Sequence, residues 1–408
     1  MGRIEITTPS PLVGVVGLRA AQDRRVGPAL GRAFDSRYIS EVDAIRGLAV
    51  TGVIAIHCGI LPFGWMGVWL FYVVSGFAVA SSLFGSHQRS GQSAGSTIRH
   101  FYVRRALRIW PLYFLFLGTN FAYLLMSGKL LHSSDVAALL TFTYNMKMIS
   151  DAYAGVEGWP AFGHLWTLSV EQQFYLAFPF IVLLGNFRAK VLALVMAIAL
   201  APVIRAAVSL WAAGAGGDNS VNAFAIYAFG PAHFDAFAAG ALVTMFRNEI
   251  AAHPRCARYA IGVAGVICAA YIGVYLAIGI NSSGSLTVNS LRNIVSGILF
   301  GQGREVFLYL VPTSVGVAVL MGILARAKWC MQVCRLPGLQ AVGRISYGGY
   351  LLHLPVLMVL HATSSFFSAG FAGHIMLFAT ALPLTVGLAW LSYHYFEAAF
   401  SRIKLRYA

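Results

Sequence analysis

The stretch YISEVDAIRGLAVTGVIAIHCGILPFGWMG (residues 38–67) decides how the rest of the chain is read. Between Gly47 and Phe63 it holds no charged residue and one histidine, His57, with Arg46 at its start. A helix needs roughly twenty such residues to cross about 30 Å of hydrocarbon. Comparable apolar runs recur, and the spans they predict are roughly 47–63, 66–84, 106–126, 167–186, 191–210, 224–246, 259–280, 306–325, 345–363 and 373–394. Composition agrees. Charged residues are 11% of the 408, against about 25% in soluble domains. Apolar residues reach 58% and mean hydropathy is +0.72. One soluble core could not bury that surface, and the short alternating segments of a barrel are missing. The expected fold class is therefore all-α: a polytopic integral membrane protein with about ten transmembrane helices. One membrane domain is expected over 38–400, between a flexible basic cytoplasmic tail (1–37) and a cytoplasmic end (401–408).

The net charge of +15 raises the question of nucleic acid, and its distribution answers it. With the amino terminus in the cytoplasm, 24 of the 29 Lys and Arg residues fall on that side of the predicted spans. The positive-inside rule then puts both termini in the cytoplasm. The basic excess reports topology and contact with anionic lipid, and no nucleic-acid partner is expected. The apolar patch Pro11–Leu18 is short and precedes Arg24 and Arg25, so no cleaved signal peptide is expected. Cys58 and Cys268 fall in spans and Cys256, Cys330 and Cys334 on cytoplasmic segments, so no structural disulfide is expected. Cys330–Cys334 lacks the further ligands that zinc requires, and no metal site is predicted. Two outer loops, about 127–166 and 281–305, are long enough to cover a site facing outward.

Ionisable groups inside a span are costly, which makes each a functional candidate. Arg46 and His57 are eleven residues apart, so on a helix they differ by only about 20° and by roughly 16 Å along the axis. That spacing suits an elongated donor whose phosphates meet the cation while its reactive end reaches a buried base. The plainer reading makes Arg46 a positive-inside anchor and His57 a packed, hydrogen-bonded ring. In FYVRRALRIWPLYFLF (residues 101–116), Arg105 and Arg108 share one helical face. They read either as a phosphate site or as juxtamembrane anchors. Glu171 in HLWTLSVEQQFYL is placed near the outer boundary, where it could orient an acceptor hydroxyl, or serve a structural partner. Asp235 lies within the sixth predicted span and is costly unless paired. His164, His353 and Glu397 complete the candidates, with Glu397 read as a pairing group at a helix end. The Gly and Ser residues of GWMGVWLFYVVSGFAVASSLF read as helix-packing positions. No Gly-x-Ser-x-Gly, Walker or His-Glu-x-x-His motif occurs.

These residues resemble a known family, the acyltransferase 3 family of membrane O-acyltransferases. Its members decorate surface polysaccharides, lipopolysaccharide, Nod factors and macrolides. The resemblance runs from about 38 to 400. It rests on Asp43, Arg46 and Gly47 followed by His57, then GVWLFYVVSGF, FYVRRALRIWPLYF, HLWTLSVEQQFYL, FDAFAAGAL, ISYGGYLLHLPVL and the closing Glu397 segment. It implies an Arg-x(10)-His motif at Arg46 and His57 and an Arg-x-x-Arg motif at Arg105 and Arg108, with the histidine essential. It also implies acyl-CoA as donor, acetyl above all, and an acceptor presented from outside. Where the family commonly has Glu-Glu-Gln-Phe-Tyr, this chain has Glu171-Gln172-Gln173-Phe174-Tyr175.

The expectation is an O-acyltransferase of the bacterial inner membrane. It would transfer from acetyl-CoA, held by Arg46, Arg105 and Arg108, to a saccharide or glycolipid. His57 would be the general base, Glu171 and Asp235 would orient the groups, and no cofactor would be tightly bound. One rival is a proton-coupled transporter or flippase with His57, Asp235 and Glu171 as a relay. Another is an inactive partner that only binds lipid-linked sugar.

Overall fold

The computed structural model describes residues 38–90, 93–129, 131–283, 285, 294–297, 299–368 and 370–404. The expected tail (1–37) and the last residues of the expected end (405–408) lie outside the described residues. The described chain is helical and contains no strand. In order, α1 (Glu41–His57), α2 (Met66–Ser90), α3 (Ala94–Met126), α4 (Ser133–Leu140), α5 (Tyr144–Ala154) and α6 (Trp166–Ala177) form the first half. Then come α7 (Phe187–Gly214), α8 (Asn219–Ala228), α9 (Phe234–Met245), α10 (Arg247–Ala252), α11 (Arg255–Ser283), α12 (Arg304–Phe307) and α13 (Leu310–Leu324). The chain closes with α14 (Lys328–Cys334), α15 (Pro337–Arg344), α16 (Ser346–Thr363), α17 (Gly370–Leu391) and α18 (Ala398–Lys404).

Among the described residues, six helical stretches are long and apolar enough to cross a membrane: Met66–Gly85, Ala94–Met126, Phe187–Gly214, Arg255–Asn281, Arg304–Leu324 and Gly370–Ile403. A seventh arises if α15 and α16, bent by 77° at their junction, count as one. The other spans expected from sequence are shorter or broken pieces, and the chain shows why. The first stops at His57 because Gly59 adopts φ 77°. Gly59 and Ile60 turn their N–H groups back onto the carbonyls of Ile56 and Ala55, the glycine-terminated cap that ends many helices. The predicted 167–186 is α6 followed by a 3₁₀ turn, Phe178–Leu183, with Pro179 as its second residue. The predicted 224–246 is α8 and α9 separated by the 3₁₀ turn Gly230–His233 with Pro231 near its start. Proline removes a backbone donor and clashes with the preceding turn, so both breaks are local.

The long helices α7 and α11 leave broad apolar faces exposed, including Leu192, Met196, Val203, Leu210, Val263, Val266 and Val274. Such faces suit lipid, as expected of an integral membrane protein. Inside, α2 is sheathed on several sides. A Cβ on Gly76 would collide with the carbonyl of Phe237 in α9, and one on Gly240 with the carbonyl of Val73. The two backbones therefore touch, as small residues allow between apolar helices. The same device joins α1 to α15, where a Cβ on Gly343 would collide with the carbonyl of Asp43. A core of Leu112, Tyr113, Phe116, Phe162, Leu165, Leu168 and Leu351 ties α3 to α6 and α16. Tyr347 of α16 reinforces it by donating to the carbonyl of Ile109 (2.7 Å). These helices carry the polar groups described next.

Gly59→Ala tests the α1 terminus. An alanine at positive φ costs about 1 kcal/mol, and its Cβ would stand 3.0 Å from the His374 ring. We expect a lower thermal midpoint and slower turnover, since His57 is the last helical residue; an unchanged midpoint would argue against the cap.

Candidate active site

Arg46 lies one turn into α1, next to the buried carboxylate of Asp43, to which its Nη1 donates (2.9 Å). The Tyr38 hydroxyl donates to the other Asp43 oxygen. Asp43 thus fixes the guanidinium from the acidic first turn of the helix, where a carboxylate is favoured by the helix dipole. From α3, Arg105 lies over the rings of Phe101 (5.6 Å) and Tyr175 (5.3 Å), a cation–π arrangement that holds a charge without neutralising it. Arg105 and Arg108 point into one cavity of about 80 Å³ together with Arg46. Arg104, between them in sequence, turns toward Ser82 instead (3.5 Å).

Glu171 of α6 faces that same cavity. It accepts a hydrogen bond from Ser75 Oγ (2.5 Å) and one from the Tyr175 hydroxyl. The sequence placed Glu171 near the outer boundary beside the acceptor. In the structure it shares a cavity with three guanidinium groups, because α6 is short and packs inside the bundle. Opposite charges at close range lower the cost of burying each.

A second cavity, about 290 Å³, is lined by His57, His164, Trp65, Trp166 and Tyr227, among others. Val68 and Tyr350 line both cavities, so the two are neighbours on either side of these side chains. A third space, about 370 Å³, shares Arg46, Arg108 and Tyr347 with the first and adds Arg344, Asp43 and Glu397. The three lie side by side, from a basic end to a histidine end. Since α1 is unbroken from Glu41 to His57, Arg46 and His57 mark its two ends, roughly 16 Å apart.

The His57 ring is exposed to its cavity. Its Nδ1 lies 2.8 Å from the carbonyl of Val53. A carbonyl only accepts, so Nδ1 carries the hydrogen and Nε2 keeps the lone pair, the form a general base needs. Next to His57 stands His353 of α16, ring centroids 5.0 Å apart, and beyond it His164 at 5.1 Å. Sequence reading noted both histidines but gave them no role. His353 was marked by the cost of an ionisable group in an apolar helix and His164 as a polar group at the outer boundary, and nothing in local spacing relates residues 57, 164 and 353.

Asp235 is not brought to either cavity. It is fully buried at the start of α9, where Arg205 of α7 donates to it. Arg205 also donates to the carbonyls of Ala232 and Val306, each at 2.8 Å. The cost that made Asp235 a candidate is met by this pairing, which ties together α7, α9 and α12. Gln172, in place of the family's second glutamate, lines none of these cavities. Glu397 lies in the third space and accepts from Ser392 (3.1 Å).

Comparison with known proteins gives the arrangement its context. A 165-residue stretch is 31% identical to the Bacillus subtilis protein named peptidoglycan O-acetyltransferase YrhL, covering 38% of this chain and 25% of that protein. A 170-residue stretch is 28% identical to the O-acetyltransferase OatA of Staphylococcus aureus, covering 40% and 28%. The matched segment thus spans about a quarter of each relative. No solved structure matches the chain. The family profile described as an acyltransferase domain matches residues 39–394, which include every cavity-lining residue named above except Tyr38 and Glu397. The chain belongs to the acyltransferase 3 family.

Proposed function

We propose that the protein transfers an acetyl group from acetyl-CoA to a hydroxyl of a saccharide or glycolipid, with His57 as general base. The observation that carries this reading is that Val68 and Tyr350 border both a guanidinium-lined cavity and the cavity of His57, whose Nδ1 is bonded so that Nε2 keeps its lone pair. Phosphates of the donor would rest at the basic end, where Arg46 and Arg108 face both the first and third spaces. The narrow first cavity would take the extended arm, directing the thioester toward Tyr350. An acceptor hydroxyl in the larger cavity would give its proton to His57 Nε2 as its oxygen attacks the thioester carbonyl. The carbon–sulfur bond then breaks, and the CoA thiolate takes up the proton as His57 is restored. Glu171, fixed by Ser75 and Tyr175, would orient Arg105 rather than the acceptor. The acceptor class draws on the two relatives, whose names specify O-acetylation and, for one, peptidoglycan.

The proposed setting is the bacterial inner membrane with both termini cytoplasmic. That orientation puts the Arg46 end where acyl-CoA is found and leaves the histidine cavity toward the outside. A proton relay through His57, Glu171 and Asp235 gains no support, since the three occupy separate environments and Asp235 is bound by Arg205.

The test is transfer of label from radiolabelled acetyl-CoA to a panel of glycans by the purified protein; absence of both transfer and CoA release would refute the reading. Arg105→Ala should raise the donor KM by about tenfold or more with little change in kcat, as expected for loss of one charge-assisted contact. Unchanged donor KM would remove Arg105 from phosphate binding.

A further inference from the structure

A base that collects a proton in an apolar interior needs a group to share it. In many sites that group is a carboxylate, and the sequence offered Glu171 and Asp235. Neither lines the His57 cavity. What stands beside His57 is His353, completely buried on α16. Its Nδ1 lies 2.5 Å from the carbonyl of Tyr350, so Nδ1 holds the hydrogen and Nε2 presents a bare lone pair. That Nε2 has no hydrogen-bond partner among the described residues. Burying an acceptor without a donor is unfavourable, and such a group calls for a role. The His57 ring is tilted 57° to it at 5.0 Å, and His164 packs edge-on at 5.1 Å on the other contact. His164 confines the ring, and the Tyr350 carbonyl fixes its rotation.

We propose that His353 is a positioning residue for His57, its free Nε2 accepting a hydrogen bond from the protonated His57 ring, directly or through one water. The proposal rests on His57 being the base. When the acceptor O–H bond breaks, the new N–H at His57 Nε2 finds an acceptor in His353. The proton stays on His57, and when the carbon–sulfur bond breaks it passes to the departing thiolate. His353 never carries the charge, so its own hydrogen on Nδ1 stays with Tyr350. Tyr350, which lines both cavities and holds His353, thereby links the position of this pair to the border where the thioester would arrive.

Two variants separate this role from packing. His353→Asn keeps an amide N–H near the place of Nδ1, and so the bond to Tyr350, but puts nothing at Nε2. His353→Gln reaches the Nε2 position with an amide oxygen able to accept. Measured by acetyl transfer in the full-length protein, His353→Asn should lose kcat by about 10–100-fold, the scale for a partner one step from the chemistry. Donor KM should not change, and His353→Gln should keep most of the turnover. A structural role predicts the reverse order. That reverse order, or two variants as active as wild type, would overturn the proposal. Thermal midpoints show whether each variant folds. Should His353→Asn not fold, folded His353→Gln decides alone: turnover above about a tenth of wild type supports the role, and less refutes it. An inactive wild-type protein would instead refute the acyltransferase reading itself.

Discussion

His57→Ala should lower turnover of acetyl-CoA by about 10²–10⁴-fold, the contribution usual for a positioned general base, while leaving the fold intact. The structure separates these two effects. The His57 ring is exposed to a cavity rather than packed in the core, and its one protein hydrogen bond is to a carbonyl within its own helix. Removing it leaves no buried partner stranded, so the thermal midpoint should move by little. Donor KM should also hold, because the guanidinium groups lie in the neighbouring cavity. A variant that folds, binds donor as before and turns over at the wild-type rate would exclude His57 as the base. Loss of folding together with activity would return His57 to the plainer reading of a packed ring.

Asp235→Ala should do the opposite: destabilise the protein by about 3–5 kcal/mol, the cost of stranding one member of a buried ion pair. Arg205 is fully buried, and without Asp235 its guanidinium keeps the carbonyls of Ala232 and Val306 and the face of Tyr309 but no counter-charge. The double variant Arg205→Met/Asp235→Leu should recover much of the loss, since replacing both charges leaves neither unpaired. Thermal unfolding in detergent gives the midpoints, and activity per folded molecule should stay near wild type in any Asp235 variant that folds. A folded, inactive Asp235→Ala would restore Asp235 to the chemistry; an unchanged midpoint would deny the pairing its importance.

The contrast between these residues shows how far the sequence could be read. Both were found by the same rule, that charge in an apolar segment is expensive. The rule identifies cost but not what meets it. For Arg46 and His57 one helix relates the two, and its period is fixed by backbone hydrogen bonding. Their placement was therefore readable from spacing alone. The helix end was also readable, in Gly59, although the span was expected to run on to Phe63. A glycine at positive φ stops an α-helix whatever surrounds it. The breaks at Pro179 and Pro231 have an equally local cause, although both spans were expected to run on unbroken.

Glu171 and Asp235 needed the tertiary structure. Their partners, Ser75 and Arg205, are 96 and 30 residues away, and no periodicity links them. Glu171 turned out to belong with the arginines and Asp235 with a structural pair. The same holds for His353, whose neighbour His57 lies almost 300 residues earlier. The sequence by itself determined an all-α membrane protein of this family, and the one-helix relation of Arg46 to His57, because composition and the α-helical repeat act locally. Only the packing of α3 and α6 against α2, and of α16 against α1, decided which other polar groups share the cavities. Contacts between helices depend on side-chain fit across the bundle and on close approaches such as Gly76 against Phe237 and Gly343 against Asp43, and the linear order of residues does not display them.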